Sequence, residues 1–320
     1  IIPGGLGFVI VKNNSGPVQY LGKTLSFNNP TNIFKNFDTV SILLTSSNPV
    51  TPSNILANDE AFVVLRDDSV LVCWGTEIYG GTEPDLGSET ASKIYKNNIG
   101  FAVITRTGKL FSWGKPSLFI TAENNQDFKE VYSTSGAFAG LRNNGTVEVW
   151  GDTESMINIG NIKEFQNPTN YEYVFLYDDI NNITEIYSNK FSFVGKKVVD
   201  GIVTLITWGD YYMGGSPYKQ TISGDEFSWT PLNLSLNEKE IINIGEYRKV
   251  VSTDGAYAIL KNDGNILTWG NNDYGGNCPF FLTFDGNVVE LISNSHSFIA
   301  LLTNGDVISW GNNNYGGNSS

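Results

Sequence analysis

The chain has 320 residues, of which 40% are hydrophobic, 13% are aromatic and 17% are charged, and its net charge is −13. This acidic charge and the lack of any basic run argue against nucleic-acid binding, because phosphate contacts need clustered Lys and Arg. No apolar run reaches the ~18 residues that span a membrane. The two cysteines, Cys73 and Cys278, are too few for a disulfide framework or a four-ligand zinc site.

One sequence unit recurs along the chain from its first residues to its last. A degraded copy begins at Phe8 and ends at Leu21-Gly22, and a copy with three extra residues runs from Phe193 to Trp208. The regular copies have an aromatic residue followed twelve positions later by Trp-Gly, at Phe62/Trp74, Phe101/Trp113, Phe138/Trp150, Tyr257/Trp269 and Phe298/Trp310. The mean period is about 45 residues, which is typical of a propeller repeat.

Each unit reads as a β-hairpin preceded by a further short strand. In the copy at 257–269, two apolar runs flank Asn262-Asp263-Gly264, and Asp-Gly between such runs is a strong hairpin signal. The preceding strands are predicted at 94–97, 131–134, 186–189, 250–253 and 291–294. A variable connector is left over, and it could supply a fourth strand.

Three or four short strands in each unit of 40–50 residues predict a β-propeller. We therefore expect an all-β fold, a single seven-bladed β-propeller over residues 1–320. Its blades are anchored at Leu21, Trp74, Trp113, Trp150, Trp208, Trp269 and Trp310.

The last unit resembles the repeat of the regulator of chromosome condensation family. Its matching residues are Ser293-Asn294-Ser295-His296-Ser297-Phe298, Leu301, Asn304-Gly305-Asp306-Val307 and Trp310-Gly311-Asn312-Asn313-Asn314-Tyr315-Gly316. The resemblance extends over nearly the whole chain and implies a seven-bladed propeller. For function it implies either guanine-nucleotide exchange on a small GTPase, as in the founding member, or an unrelated partner, because this fold hosts many functions.

Two departures from the family pattern bear on function. The Gln that follows Tyr-Gly in the family is Gly81, Gly276 and Gly317 here, and the family His is kept only at His296. The basic segments through which the founding member docks on chromatin have no counterpart. These features favour a bacterial or viral branch of the family.

No catalytic set is evident in the sequence. His296 is the only histidine and lies within the repeat, where a structural role is expected, and no Gly-x-Ser-x-Gly nucleophile elbow is present. The acids are scattered through hairpin turns rather than spaced as calcium ligands. We predict no enzymatic activity, no cofactor and no metal. The tryptophans of the repeat are expected to pack between units rather than to stack on sugars.

Partner-binding candidates come from segments that leave the repeat. Three such segments are residues 23–53, 152–185 and 210–248, and extra length in surface connections often carries function. Aromatic residues that do not belong to the repeat are candidate interface anchors, and two neighbouring acids border one group of them. The candidates are Trp229, Phe227, Tyr211, Tyr212, Tyr171, Tyr173, Asp178 and Asp179.

The sequence thus favours a non-enzymatic propeller that binds a protein partner. The alternatives are a guanine-nucleotide exchange regulator of a small GTPase and a carbohydrate-binding propeller. Because the chain begins at Ile1 without a signal peptide, it is expected to be a mature product or a fragment. A monomeric domain or a module of a larger secreted or surface protein, such as a toxin, adhesin or effector, is expected.

Overall fold

The computed structural model describes residues 55–66, 68–120, 125–151, 180–215, 246–278 and 286–318, apart from the side chains at 199 and 211. It also describes the backbone of the strands at 2–4, 7–10, 19–22, 162–163, 173–174, 218–223, 226–231 and 240–242. The chain divides into two compact units. One comprises residues 1–143 and 149–152, and the other comprises residues 144–148 and 153–320.

The first unit is built from three-stranded antiparallel meanders, in which each strand pairs with the next one in the chain. Their strands are β1 (Ile2–Gly4), β2 (Gly7–Ile10) and β3 (Gln19–Gly22); β4 (Ile55–Ala57), β5 (Ala61–Leu65) and β6 (Leu71–Gly75); β7 (Ala91–Lys96), β8 (Gly100–Thr105) and β9 (Leu110–Gly114); β10 (Phe128–Ser133), β11 (Ala137–Arg142) and β12 (Val147–Gly151). The first two residues of β12 are assigned to the second unit.

The second unit repeats the meander and adds strands to it. Its strands are β13 (Ile162–Lys163), β14 (Tyr173–Val174), β15 (Ile183–Ser188), β16 (Ser192–Val199), β17 (Ile202–Gly209), β18 (Tyr218–Ser223), β19 (Glu226–Pro231), β20 (Glu240–Ile242), β21 (Tyr247–Ser252), β22 (Ala256–Lys261), β23 (Ile266–Gly270), β24 (Val288–Ser293), β25 (Ser297–Leu302) and β26 (Val307–Gly311). The sheet orders are β13-β14, β15-β16-β17-β20, β19-β18-β23-β22-β21 and β24-β25-β26.

The all-β prediction is confirmed for the described residues, which contain no α-helix, only three-residue 3-10 turns. A connector supplies a fourth strand to the β15–β17 meander, where β20 pairs with β17. Elsewhere the return path makes isolated contacts, as where Leu110 donates its amide to the Asn125 carbonyl. The number of blades and the closure of a ring stay predictions.

The first strand of each meander begins three residues earlier than the sequence predicted. The five strands start at residues 91, 128, 183, 247 and 288, and each has a register shift near its start, as between Ala91 and Lys93. A β-bulge of this kind interrupts the alternation of apolar and polar residues. The start of the strand therefore has no periodic signal in the sequence.

The core lies between consecutive meanders. Val63 and Leu65 of β5 share one buried cluster with Phe101 and Val103 of β8, and Ala258 shares another with residues of β24 to β26. Every residue of β8 is buried, because both faces of this middle strand are covered. The β7–β9 and β21–β23 meanders thus each contribute apolar surface to two clusters, which explains why their repeats have apolar runs rather than strict alternation.

Candidate partner-binding site

The tryptophan that recurs in six of the seven repeats is a packing residue. It faces the aromatic residue directly across the hairpin, as in the pairing of Phe298 with Trp310, and the ring centroids of such pairs are 5.0–5.6 Å apart. These tryptophans are between 0% and 7% exposed. The interpretation of packing rather than sugar stacking is therefore confirmed for Trp74, Trp113, Trp150, Trp208, Trp269 and Trp310.

A glycine-capped turn follows Trp-Gly in four meanders, and three of these turns bind the tryptophan of the next meander. Gly80, Gly214, Gly275 and Gly316 end these turns at φ 97°, 95°, 88° and 89°. This left-handed region is costly for residues with a Cβ atom. The indole nitrogen of Trp113 donates to the Gly80 carbonyl at 3.0 Å, and the same bond joins Trp269 to Gly214 and Trp310 to Gly275.

A second donor reaches the neighbouring carbonyl of the same turn. The Asn58 side-chain amide donates to the Tyr79 carbonyl at 2.7 Å, immediately before Gly80. Equivalent bonds join Asn189 to Met213, Thr253 to Tyr274 and Asn294 to Tyr315. Two donors therefore bind consecutive carbonyls of one turn.

The turn after β9 departs from this arrangement. It has Lys-Pro-Ser-Leu-Phe in place of the turn sequence that ends in Tyr-Gly, and Phe119 ends it at φ −71°. The Leu118 carbonyl accepts instead from the Ser112 hydroxyl. Among the described residues, the side-chain amide nitrogen of Asn97 and the indole nitrogen of Trp150 have no hydrogen-bond partner; they stand in the repeat where Asn58 and Trp113 stand. The signal of this departure in the sequence is Leu118-Phe119, which stands where other repeats have Tyr-Gly.

His296 lies in an aromatic stack, which supports its structural role. Its ring lies between those of Tyr274 and Tyr315, with centroids at 5.0 Å and 4.1 Å and interplanar angles of 22° and 13°. Its backbone amide donates to the Asn294 side chain. Tyr315 is 54% exposed, so the stack ends at solvent among the described residues.

Three of the seven ion pairs among the described residues link neighbouring meanders. Lys93 contacts Glu130 at 2.6 Å, Lys249 contacts Glu290 at 2.6 Å, and Lys190 lies 3.7 Å from Asp254. Exposed pairs of this kind contribute about 0–1 kcal/mol each. Within the described ranges, no three His, Cys, Asp or Glu side chains come together as metal ligands would. No helix there is long and apolar enough to cross a membrane.

Two of the predicted anchors lie in the turn after β17. Residues Tyr211–Met213 form a 3-10 turn, and the Asp210 carboxylate accepts from the Tyr212 amide at 2.9 Å. Partial burial raises the pKa of the Asp210 carboxyl. Tyr212 is 47% exposed, so it is available to a partner, while the Tyr211 side chain lies outside the described residues.

Two further anchors lie on a hairpin within residues 210–248, one of the segments that leave the repeat. Strands β18 and β19 pair antiparallel, with Gln220 opposite Trp229 and Ile222 opposite Phe227. Opposed residues share a face of a hairpin, so these four positions belong to one face. Residue Lys219 of β18 pairs in parallel with Gly270 of β23. An insert of one meander is thereby attached to the edge of the next.

The remaining candidates are not brought to this hairpin by any described pairing. Tyr173 is in β14, which pairs with β13 as a separate two-stranded sheet. Tyr171, Asp178 and Asp179 lie outside the described residues. Tyr211, Tyr212, Phe227 and Trp229 lie in one stretch of the sequence, residues 211–231.

Comparison with known proteins centres on the last meander. Residues 293–316 match the family model of the regulator of chromosome condensation (RCC1) repeat. The match runs from the end of β24 to the glycine that caps the turn after β26, and it supports the resemblance to RCC1-type propellers drawn from the sequence. No curated protein sequence matches the chain.

Three solved structures illustrate the similarity in chain course. The receptor kinase CR4 ectodomain of Physcomitrella patens has 16% identity and a TM-score of 0.42, with 82% of this chain and 62% of that chain covered. Prp20p of Saccharomyces cerevisiae, whose binding to Gsp1p and histones is described, has 12% identity and a TM-score of 0.45, with 80% and 71% covered. The ectodomain of the receptor kinase ACR4 of Arabidopsis thaliana has 14% sequence identity and a TM-score of 0.42, with 83% of this chain and 81% of that chain covered. The chain thus spans less than two thirds of the moss ectodomain.

Proposed function

We propose that this chain is a non-enzymatic binding module whose partner is a protein, and that the segment 211–231 makes the main contact. The proposal rests on the β18–β19 hairpin, which leaves the repeat and places Phe227 and Trp229 on one face. Rigid aromatic anchors of this kind dominate protein interfaces. The opposite face of the hairpin has the positions of Thr221, Ser228 and Thr230 and serves as a control surface.

The test is affinity purification with three forms of the whole chain, followed by quantitative mass spectrometry. We expect a partner that the wild type retains and that Phe227→Ala/Trp229→Ala loses by about tenfold or more, as for a hot spot. The control Ser228→Ala/Thr230→Ala should retain it. If every protein that is lost by the first variant is also lost by the control, the hairpin face is not the binding site.

A second candidate function is guanine-nucleotide exchange on a small GTPase. The RCC1 repeat match at residues 293–316 is the observation that favours it. A nucleotide-release assay over a panel of GTPases tests it directly, and release that the chain does not accelerate on any of them rejects it. A carbohydrate-binding role would show instead as glycan-array binding that is lost with Tyr212→Ala, a side chain that is 47% exposed.

We further propose that the meanders are the blades of one seven-bladed β-propeller. The support for this count is the number of repeat units in the sequence, which are anchored at Leu21, Trp74, Trp113, Trp150, Trp208, Trp269 and Trp310.

An experimental structure of the whole chain tests the blade count, and any count other than seven would reject it. We also propose a bacterial or viral origin and a secreted or surface location, which expression and fractionation in the source organism would test.

A further inference from the structure

The chain contains two Asn-Gly sequences, and each lies in the hairpin turn of a meander. Asn144-Gly145 joins β11 to β12, and Asn304-Gly305 joins β25 to β26. The side-chain amide of Asn-Gly is prone to lose ammonia, because glycine has no Cβ atom to crowd the backbone nitrogen that follows the asparagine. The two sites share this intrinsic chemistry, so their surroundings can be compared directly.

Within the turn, the two asparagines make the same local contact. The Asn144 side-chain oxygen accepts from the Thr146 amide at 2.9 Å, and that of Asn304 accepts from the Asp306 amide at 3.0 Å. Both asparagines are exposed, and the glycines that follow them have φ of 83° and 88°. The local turn therefore does not distinguish the two sites.

A neighbouring meander holds the first turn, whereas the second is exposed. The Gly145 carbonyl accepts from the Ile183 amide of β15 at 2.9 Å, and Gly145 is buried. A Cβ atom at Gly145 would lie 3.2 Å from the backbone of Asn182 and Ile183. Gly305 is exposed, and its carbonyl accepts no such bond from the residues that the structure describes. A Cβ atom at Gly305 would meet none of them within 4 Å.

Other hairpin turns of this kind are held in the way that the Gly145 turn is held. The Gly108 carbonyl accepts from the Phe128 amide at 2.9 Å, and the Gly264 carbonyl accepts from the Val288 amide at 3.2 Å. In each case the donor is the first strand of the next meander. Among these four turns of the described chain, the Gly305 turn is the exception.

Loss of ammonia from the side chain requires the turn to open. The Gly305 backbone nitrogen must reach the side-chain carbonyl carbon of Asn304, but in the closed turn its N–H donates to the Leu302 carbonyl at 3.0 Å. Opening of an exposed turn is a local fluctuation that costs much less than global unfolding. At Asn144 the same opening must also break the bond from Ile183 and detach a buried glycine.

We propose that Asn304 is a site of spontaneous deamidation in the folded chain and that Asn144 is protected. The Gly305 nitrogen bonds to the Cγ atom of Asn304 and gives up its proton, the Cγ–Nδ2 bond breaks, and the departing nitrogen takes up a proton and leaves as ammonia. Water then opens the succinimide ring at either carbonyl and leaves aspartate or isoaspartate at position 304. The net reaction consumes one water and releases one ammonia, with no oxidant, reductant or enzyme.

The product changes the turn in two ways. The side-chain nitrogen of Asn304 donates to the Asp306 carboxylate at 2.7 Å, whereas a carboxylate at position 304 would repel that group. Isoaspartate also adds one carbon to the backbone of the turn that sets the register of β25 and β26. Deamidation should therefore loosen the hairpin of the last meander.

The experiment incubates the intact folded chain at neutral pH and follows both sites by peptide mapping with mass spectrometry. Fragmentation that distinguishes isoaspartate from aspartate identifies the products. Deamidation at Asn304 should be faster than at Asn144 by about tenfold or more, since an additional hydrogen bond and a buried glycine hold the second site closed. In urea the two sites should react at similar rates, because the structure that protects Asn144 is gone.

Two matched variants assign the isoaspartate formed by the folded chain. Asn304→Ser should remove most of it, and Asn144→Ser should leave it unchanged. Neither measurement needs a binding partner, so the result is independent of the proposed function. If Asn304 stays intact in the folded chain, or if the two sites of the folded chain react at equal rates, the proposal is wrong.

Discussion

The indole nitrogen of Trp310 donates a 3.0 Å hydrogen bond to the carbonyl of Gly275, the residue that caps the turn of the preceding meander. This bond joins two consecutive repeats through one buried side chain and one glycine. It depends on the left-handed conformation of Gly275, with φ 88°. The glycine is therefore part of the contact between repeats rather than only part of a turn.

The first prediction concerns that glycine. A Cβ atom at Gly275 would lie 2.7 Å from a ring carbon of Phe298, whereas one at Gly305, which has the same φ of 88°, would meet nothing within 4 Å. Gly305→Ala should cost about 1–2 kcal/mol, the cost of the left-handed conformation alone. Gly275→Ala should cost about 1–3 kcal/mol more, from overpacking. Urea denaturation of the two variants measures the difference, and equal losses would contradict it.

The second prediction compares two tryptophans. Trp310 loses its bond to Gly275 when it is replaced by phenylalanine, whereas the Trp150 indole nitrogen has no partner to lose. Trp310→Phe should therefore be more destabilising than Trp150→Phe by about 1 kcal/mol, the usual net contribution of a hydrogen bond. Thermal and urea unfolding of the two variants would show it. A larger cost at Trp150 would mean that its donor is satisfied in solution.

The third prediction concerns Asp210 and pH. Partial burial raises the pKa of its carboxyl, so the folded state holds the proton more tightly than the unfolded state does. The stability from this group is therefore greatest below the unfolded pKa and is lost as pH rises through the folded pKa. Asn271 and Asn312 accept the equivalent amide bond without charge. Asp210→Asn should stabilise the chain at pH 7 and have little effect well below pH 4, the unfolded value.

The reciprocal variant Asn312→Asp provides the control. It places a carboxylate at the equivalent position of the last turn and should lower stability at pH 7. The urea concentration at the unfolding midpoint, measured at neutral and at acidic pH, tests the expected stability change of both variants. A gain from Asp210→Asn that persists unchanged at acidic pH would show that charge is not the cause.

The fourth prediction concerns the thiols. Cys73 and Cys278 are buried, with 4% and 2% exposure, and burial raises the pKa of the Cys73 thiol. The thiolate is the reactive form, so neither cysteine should react with an aromatic disulfide reagent in the native chain. Both should react fully in urea. One equivalent of rapid reaction under native conditions would contradict this.

The repeat could be predicted from the sequence because each of its recurring residues is held in place by a specific contact. Trp310 and Phe298 face each other across a hairpin, and Gly275 must accept a positive φ, so substitutions there are costly. The bulge near the start of the first strand in five meanders could not be predicted, because a bulge removes the alternation of apolar and polar residues that marks a strand. The resemblance stated from sequence and the matched repeat at 293–316 agree.

The site was harder to predict for a different physical reason. The sequence identified Trp229 and Phe227 as residues outside the repeat. Their position in the fold depends on β18, which pairs with their strand and, through Lys219, with Gly270 of another meander. No local pattern encodes a contact over such a separation. The unpaired donors Asn97 and Trp150 were missed because both residues match the repeat, and it is their acceptor that is absent.

The pairing of Lys219 with Gly270 has a mechanical consequence. In repeat arrays the stability is a sum over units and over the contacts between nearest neighbours. A hairpin that leaves one unit and hydrogen-bonds to the next enlarges a single term in that sum. The β15–β17 and β21–β23 meanders should therefore unfold cooperatively when the two chain ends are pulled apart. The force–extension curve would show one large unfolding step for this pair, where two uniform repeats would show two smaller steps.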